Sequence, residues 1–121
     1  AIYRSKNGKT RILSLKRKLK NGVTTYAKVI KNNAIEKLCK KIAVEFNLRG
    51  SMNIQMILTK KGPRIFEINP RFSSTILMRD LMGFRDLIWS IKDIMGEPIY
   101  SPKIEKDLIA YKIKNRIVLR R

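Results

Sequence analysis

Apolar residues recur in this chain with two periods, and the switches between them mark its elements. Ile2-Tyr3-Arg4-Ser5, the turn Lys6-Asn7-Gly8-Lys9 and the run Thr10 to Leu19 predict strand, turn and strand, since Asn-Gly is a strong hairpin signal. Along that second strand Leu13, Leu15, Arg17 and Leu19 share a face, so Arg17 is the one cation on an otherwise apolar side. Such a residue either snorkels to the rim or aims at an anion in a cleft. Asn21-Gly22 predicts a second turn, and Val23 to Lys31 a third strand rich in β-formers.

The period then becomes helical. Ala34, Ile35, Leu38, Cys39, Ile42, Ala43 and Phe46 fall on one side, with Lys37, Lys40, Lys41 and Glu45 opposite. This predicts an amphipathic helix, capped by Asn32 or Asn33 and ended by a left-handed turn at Asn47. Ser51 to Leu58 and Arg64 to Asn69 flank a short loop and predict a hairpin. Pairing Leu58 with Arg64 and Ile57 with Ile65 sets Gln55 across from Glu67 and Asn53 across from Asn69. One face of the ribbon is then Asn53, Gln55, Glu67 and Asn69; the other is Ile54, Met56, Leu58, Phe66 and Ile68. A slip of one residue would destroy both faces.

Farther on, a polar loop leads into Ile76 to Met82, and Gly83 interrupts it. Arg85 to Met95 reads as a second helix with Leu87, Ile88, Ile91, Ile94 and Met95 as its buried stripe and Gly96 as its stop. Trp89, near that stripe, reads as packing rather than as a stacking platform. From Leu108 to Leu119, Ile109, Tyr111 and Ile113 face one way and Lys112, Lys114 and Arg116 the other, which predicts one final strand with Arg120-Arg121 as a tail. The two-faced ribbon needs helices on its apolar side and space on its polar side. The expected fold is α+β, a mostly antiparallel sheet with helices on one face and a cleft on the other.

Charge widens the picture. Lys and Arg number 28 against 9 Asp and Glu, a formal net charge of +19, which favours polyanionic partners. A lysine-rich, AT-biased genome, or one basic lobe of a larger and more balanced protein, gives the same balance. A small basic nucleic-acid-binding domain is therefore the alternative function, but Phe, Tyr and Trp89 show no stacking pattern on a strand. The single Cys39 can form no internal disulfide and fits a reducing, cytoplasmic compartment as a small core residue. No apolar run approaches a membrane span, and the first residues lack the plan of a signal peptide.

The chemistry concentrates in Glu67-Ile68-Asn69-Pro70-Arg71. Glu67 and Asn69 point to one face, Pro70 ends the pairing, and Arg71 follows at the sheet edge. A carboxylate beside an amide oxygen, with a guanidinium beyond, suits a hard cation and the phosphates it carries. A half-exposed hairpin with a solvated polar side is the competing reading.

Gly50 to Gly96 resembles the C-terminal lobe of ATP-grasp enzymes, most closely the synthetase domains of the carbamoyl-phosphate synthase large chain. The shared frame is Gly50, Asn53 and Gln55, a short hairpin, Glu67-Ile68-Asn69-Pro70-Arg71, the small polar run Ser73-Ser74-Thr75, Gly83, an apolar helix and Gly96. From Thr10 to Phe46 only the order of elements matches. The resemblance implies an ATP-dependent ligase that activates a carboxylate as an acyl phosphate for attack by an amine, ammonia or another nucleophile. It implies ATP with two Mg²⁺ ions, Mn²⁺ being possible, with Gln55, Glu67 and Asn69 as metal ligands and Glu67 bridging both ions. Arg71 would contact the transferring phosphoryl group, and Arg17 would lie along the nucleotide cleft. Many family members carry an acid where Gln55 stands, which makes this site less anionic. The resemblance also implies a preceding domain and a lid lobe. Residues 1–121 are accordingly expected to be a single partial domain, a fragment that alone binds ATP poorly and catalyses nothing.

Overall fold

A computed structural model of the chain describes residues 1–113 and 116–121. The run from Thr10 to Leu19, expected as one strand, crosses between two sheets. Strands β1 (Ile2–Arg4) and β2 (Thr10–Ile12) pair across the Asn7-Gly8 turn. After the single residue Leu13, β3 (Ser14–Lys20) pairs instead with β4 (Val23–Ile30) across Asn21-Gly22, whose φ values of 50° and 74° are those of a tight primed hairpin turn. Apolar alternation persists through the corner, so the sequence pattern does not register the change of sheet.

Helix α1 (Asn33–Glu45) follows. The Asn32 side chain accepts from the Ile35 N–H at 3.1 Å, and Asn47 takes the expected left-handed turn at φ 44°. Then come β5 (Gly50–Thr59), β6 (Gly62–Asn69), α2 (Ile76–Leu81), α3 (Asp86–Met95), β7 (Ile109–Ile113) and β8 (Arg116–Arg120). The first sheet has the order β2-β1-β5-β6 and the second β3-β4-β7-β8, with every pairing antiparallel. The α+β class with antiparallel sheets is thus what the structure shows.

The final strand expected over Leu108 to Leu119 is a hairpin: Ile113 pairs with Arg116 and Ile109 with Arg120. Two short antiparallel arms carry the same alternation as one long strand, which is why the pattern alone does not separate them. Lys114, expected on its outer side, lies outside the described residues. Arg120 belongs to β8 rather than to a tail.

Two cores flank β1, whose successive side chains point to opposite faces. Ile2 joins Ile35, Cys39, Ala43, Leu48 and Met52, so α1 covers one face of the first sheet. Tyr3 joins Trp89, Phe84, Met78 and Met82 against the inner side of the second sheet, with Leu13, Ala27, Val29 and Ala110. Trp89 therefore packs, as expected, with ring centroids 5.6 Å from Tyr3 and 5.0 Å from Phe84. Placement of α3 differs in detail: through Tyr3 it meets the face of the first sheet opposite to α1. Its expected stripe is also largely outside the core. Leu87, Ile91, Ile94 and Met95 are exposed, while Asp86 and Trp89 point inward. Ala34 on α1 and Phe46 at its C-terminal cap are likewise exposed rather than buried.

No helix among the described residues is long and apolar enough to cross a membrane. The Tyr3 hydroxyl donates to the Trp89 carbonyl at 2.9 Å, and burial, helped by the Asp93 carboxylate, pushes its pKa up to about 12. An unfolded phenol ionises near 10. Between about pH 10 and 12 the unfolded chain therefore loses a proton that the folded chain keeps, and the stability present below pH 10 declines. Urea midpoints at about pH 9 and 11.5 are expected to fall, and to fall less in Tyr3→Phe; equal falls would exclude Tyr3 as the source.

Candidate functional site

The central ribbon keeps the expected register where the polar residues lie. Gln55 pairs with Glu67, Asn53 with Asn69 and Ile54 with Ile68. Past Gln55 a bulge at Phe66 shifts the pairing, so Met56 faces Ile65, Ile57 faces Arg64 and Leu58 faces Pro63. The pairings Ile57 with Ile65 and Leu58 with Arg64 are therefore not formed. The expected apolar face is only partly covered: Ile54 and Met56 pack on α1, whereas Leu58, Phe66 and Ile68 are exposed.

On the polar face Gln55, Glu67 and Asn69 form one connected chain. The Gln55 amide N–H donates to Glu67 Oε2, and Asn69 Nδ2 donates to Glu67 Oε1 at 2.7 Å. Arg17 reaches in from β3 of the second sheet, donating to Gln55 Oε1 at 2.6 Å and to Thr24 Oγ1 at 3.2 Å. The one cation on the apolar side of its strand is thus turned toward the ribbon. Arg71 does not join: its Nη1 donates to the Phe72 carbonyl at 2.9 Å, and the side chain is exposed. A cleft of about 530 Å³ opens between the sheets, with Leu15, Arg17 and Leu19 on one wall and Asn53, Gln55 and Ile57 on the other.

Behind this cluster lies a buried network that sequence reading missed. Arg79 on α2 and Asp86 on α3, each 1% exposed, pair at 2.7 Å. Arg79 Nη1 also donates to Ser73 Oγ and to Thr75 Oγ1, the latter at 3.1 Å, while Ser51 Oγ donates to Asp86 Oδ2 at 2.6 Å. Ser51 opens β5 two residues before Asn53, and Ser73 to Thr75 follow Arg71. The pair therefore ties the base of the strand that carries Gln55 to the loop leaving the strand that carries Glu67 and Asn69. Burial pulls the Arg79 pKa below its ordinary value, and Asp86 opposes that shift. The available signal was the Ser73-Ser74-Thr75 run placed one helical turn before an arginine.

Donor chemistry limits what the cluster can hold. Among the described residues no three His, Cys, Asp or Glu side chains gather as a metal-binding group. Glu67 is the lone acid, with two neutral amides beside it. One carboxylate and two amide oxygens suit Mg²⁺, which keeps waters and shares its remaining positions with phosphates.

A family model described as "ATP-grasp in the biosynthetic pathway with Ter operon" matches residues 3–116. No curated protein matches the chain. Among solved structures, the phosphoribosylaminoimidazole carboxylase ATPase subunit from Aquifex aeolicus superposes with a TM-score of 0.74 at 20% identity, covering 93% of this chain and 38% of that one. An ADP complex of N5-carboxyaminoimidazole ribonucleotide synthetase gives 0.70 at 19% identity, covering 91% and 32%. At these identities the likeness concerns the fold. The chain spans well under half the length of either protein.

Proposed function

The chain belongs to the ATP-grasp family, and on that premise we propose that it forms the metal- and phosphate-binding part of an ATP-dependent ligase joining a carboxylate to an amine or ammonia. The observation that carries this reading is the hydrogen-bonded cluster of Arg17, Gln55, Glu67 and Asn69 drawn from two sheets, of which Arg17 and Gln55 also line the cleft. In this reading Gln55, Glu67 and Asn69 would hold the Mg²⁺ ions that accompany ATP, two in number, with Glu67 as the principal ligand, and Mn²⁺ could substitute. When bound, the ions would supply charge neutralisation for phosphoryl transfer, the main requirement of that chemistry.

Gln55 and Asn69 now turn their NH₂ groups to Glu67. A half-turn of each amide exchanges nitrogen for oxygen and would set two neutral oxygens beside the carboxylate. The same half-turn would aim the Gln55 NH₂ at Arg17, leaving two donors face to face. Arg17 then needs another acceptor, and a nucleotide phosphate oxygen supplies one. Arg71, exposed and bonded to the Phe72 carbonyl, would be available to offset charge on the phosphoryl group. The finer assignment within the family is a carbamoyl-phosphate-synthase-like branch, on the strength of Gln55 where an acid is common. The substrate-binding domain and the lid belong, in this proposal, to other parts of a longer protein.

Calorimetric titration of the 121-residue chain with MgATP is expected to show weak binding or none. Micromolar or tighter affinity would mean that the cleft is complete without a lid and that the half-site reading is wrong.

A further inference from the structure

The outward side of the second sheet carries a feature that the ligase reading does not use. Cross-strand pairing aligns Lys18, Tyr26, Tyr111 and Val118 in one row, and Lys16, Lys28, Ile109 and Arg120 in the next. These residues alternate with Ala27, Val29 and Ala110, which are buried in the core, so the two rows face away from it. Tyr26 and Tyr111 sit on the two central strands with ring centroids 5.4 Å apart at 71°, both rings partly exposed. Lys18 Nζ lies 5.4 Å from the Tyr26 ring centroid. Every charged residue in β3, β4, β7 and β8 is Lys or Arg. The acids nearby come from the loop before β7: Asp107 pairs with Lys28 at 2.9 Å and Glu105 with Arg121 at 3.4 Å.

We propose that this face binds single-stranded nucleic acid, with bases stacking on Tyr26 and Tyr111 and phosphates meeting Lys16, Lys18, Arg116 and Arg120. An aromatic pair at the centre of an antiparallel sheet, rimmed by cations, offers the π-faces and the charge that unpaired strands need. Every base has a π-face, and lysines read no base edges, so recognition is independent of sequence. Duplex DNA buries its bases and can use only the cations. Tyr26 and Tyr111 are far apart in the chain, which is why no stacking pattern is visible along the sequence.

The test is fluorescence anisotropy of the full 121-residue chain with a labelled oligothymidylate of about twelve nucleotides. Affinity for this strand is expected to exceed that for a duplex of equal length by about tenfold or more. Tyr26→Leu and Tyr111→Leu, which keep apolar bulk, should each weaken single-strand binding about tenfold. Lys18→Ala with Arg116→Ala should flatten the dependence on salt, whereas Lys37→Ala with Lys40→Ala, on the exposed side of α1, should change neither. Photocrosslinking of an iodouracil oligonucleotide to the unsubstituted chain is expected to map to Tyr26 or Tyr111, and this holds even if a variant fails to fold. Absent binding, equal affinity for duplex or heparin, crosslinks confined to α1, or leucine variants that bind like the parent would each overturn the proposal. So would preferential binding to acidic vesicles, or a dimer of the chain that the leucine variants dissociate. None of these readouts depends on ATP, so the ligase reading stands or falls separately.

Discussion

Replacing Glu67 with Gln in the full protein is expected to lower ATP-dependent turnover by about 10³-fold or more, within the range of losing a central electrostatic group in phosphoryl transfer. Glu67 is the lone carboxylate in a cluster whose other members are neutral amides and Arg17, so no neighbour can take over its charge. The amide is nearly isosteric. Its cost to folding is about one hydrogen bond, roughly 1 kcal/mol, because the side chain is only partly buried. On the proposed assignment, Asn69→Ala and Arg71→Ala are expected to lower kcat less severely, the first by removing an oxygen proposed to face the metal and the second by removing an exposed cation bonded to the Phe72 carbonyl. Steady-state ADP release and thermal melts measure both sides. Turnover within tenfold of the parent in Glu67→Gln would remove this residue from the metal site.

The second large effect concerns stability rather than chemistry. Asp86→Asn and Arg79→Met each leave one buried charge without its partner, which costs about 3–5 kcal/mol. For a chain of this size that is a fall in Tm on the order of 15 °C. Replacing both together by apolar residues of similar volume should recover much of the loss, since the desolvation penalty disappears with the charges. Melting curves of Arg79→Met, Asp86→Leu and Arg79→Met/Asp86→Leu form the cycle. If the double variant melts no higher than the worse single one, the pair is not the principal source of the loss.

Different parts of this molecule were legible in the sequence to different degrees, for physical reasons. The Asn53–Gln55 and Glu67–Asn69 pairing was legible because a period-2 pattern with two distinct faces tolerates no slip. The bulge at Phe66 was not, since one extra residue near the hairpin tip leaves composition and alternation almost unchanged. On α3 the apolar spacing pointed to the wrong side. Its inward positions are Asp86, Trp89, Ser90 and Asp93, which take hydrogen bonds or aromatic contacts: Asp86 pairs with Arg79, and Asp93 accepts from the Lys6 N–H at 2.8 Å. A helix face that turns polar groups inward to partners on other elements leaves no apolar periodic trace. Arg17 could be singled out as an odd cation on an apolar strand, but its destination, Gln55 on another sheet, required the corner at Leu13.

That corner also fixes a parity. Between Ile12 of the first sheet and Ser14 of the second there is one residue, Leu13, buried in the core with its N–H bound to the Ala1 carbonyl at 2.9 Å. Counting from it, side chains of β3 alternate in direction, which sends Arg17 to the cleft and Lys18 to the far side. A single inserted residue at this corner would exchange the two sets. The cleft would receive lysines in place of Arg17, and the outer face would gain leucines and one guanidinium. The spacing of one residue thus keeps two differently charged surfaces apart on a strand only seven residues long.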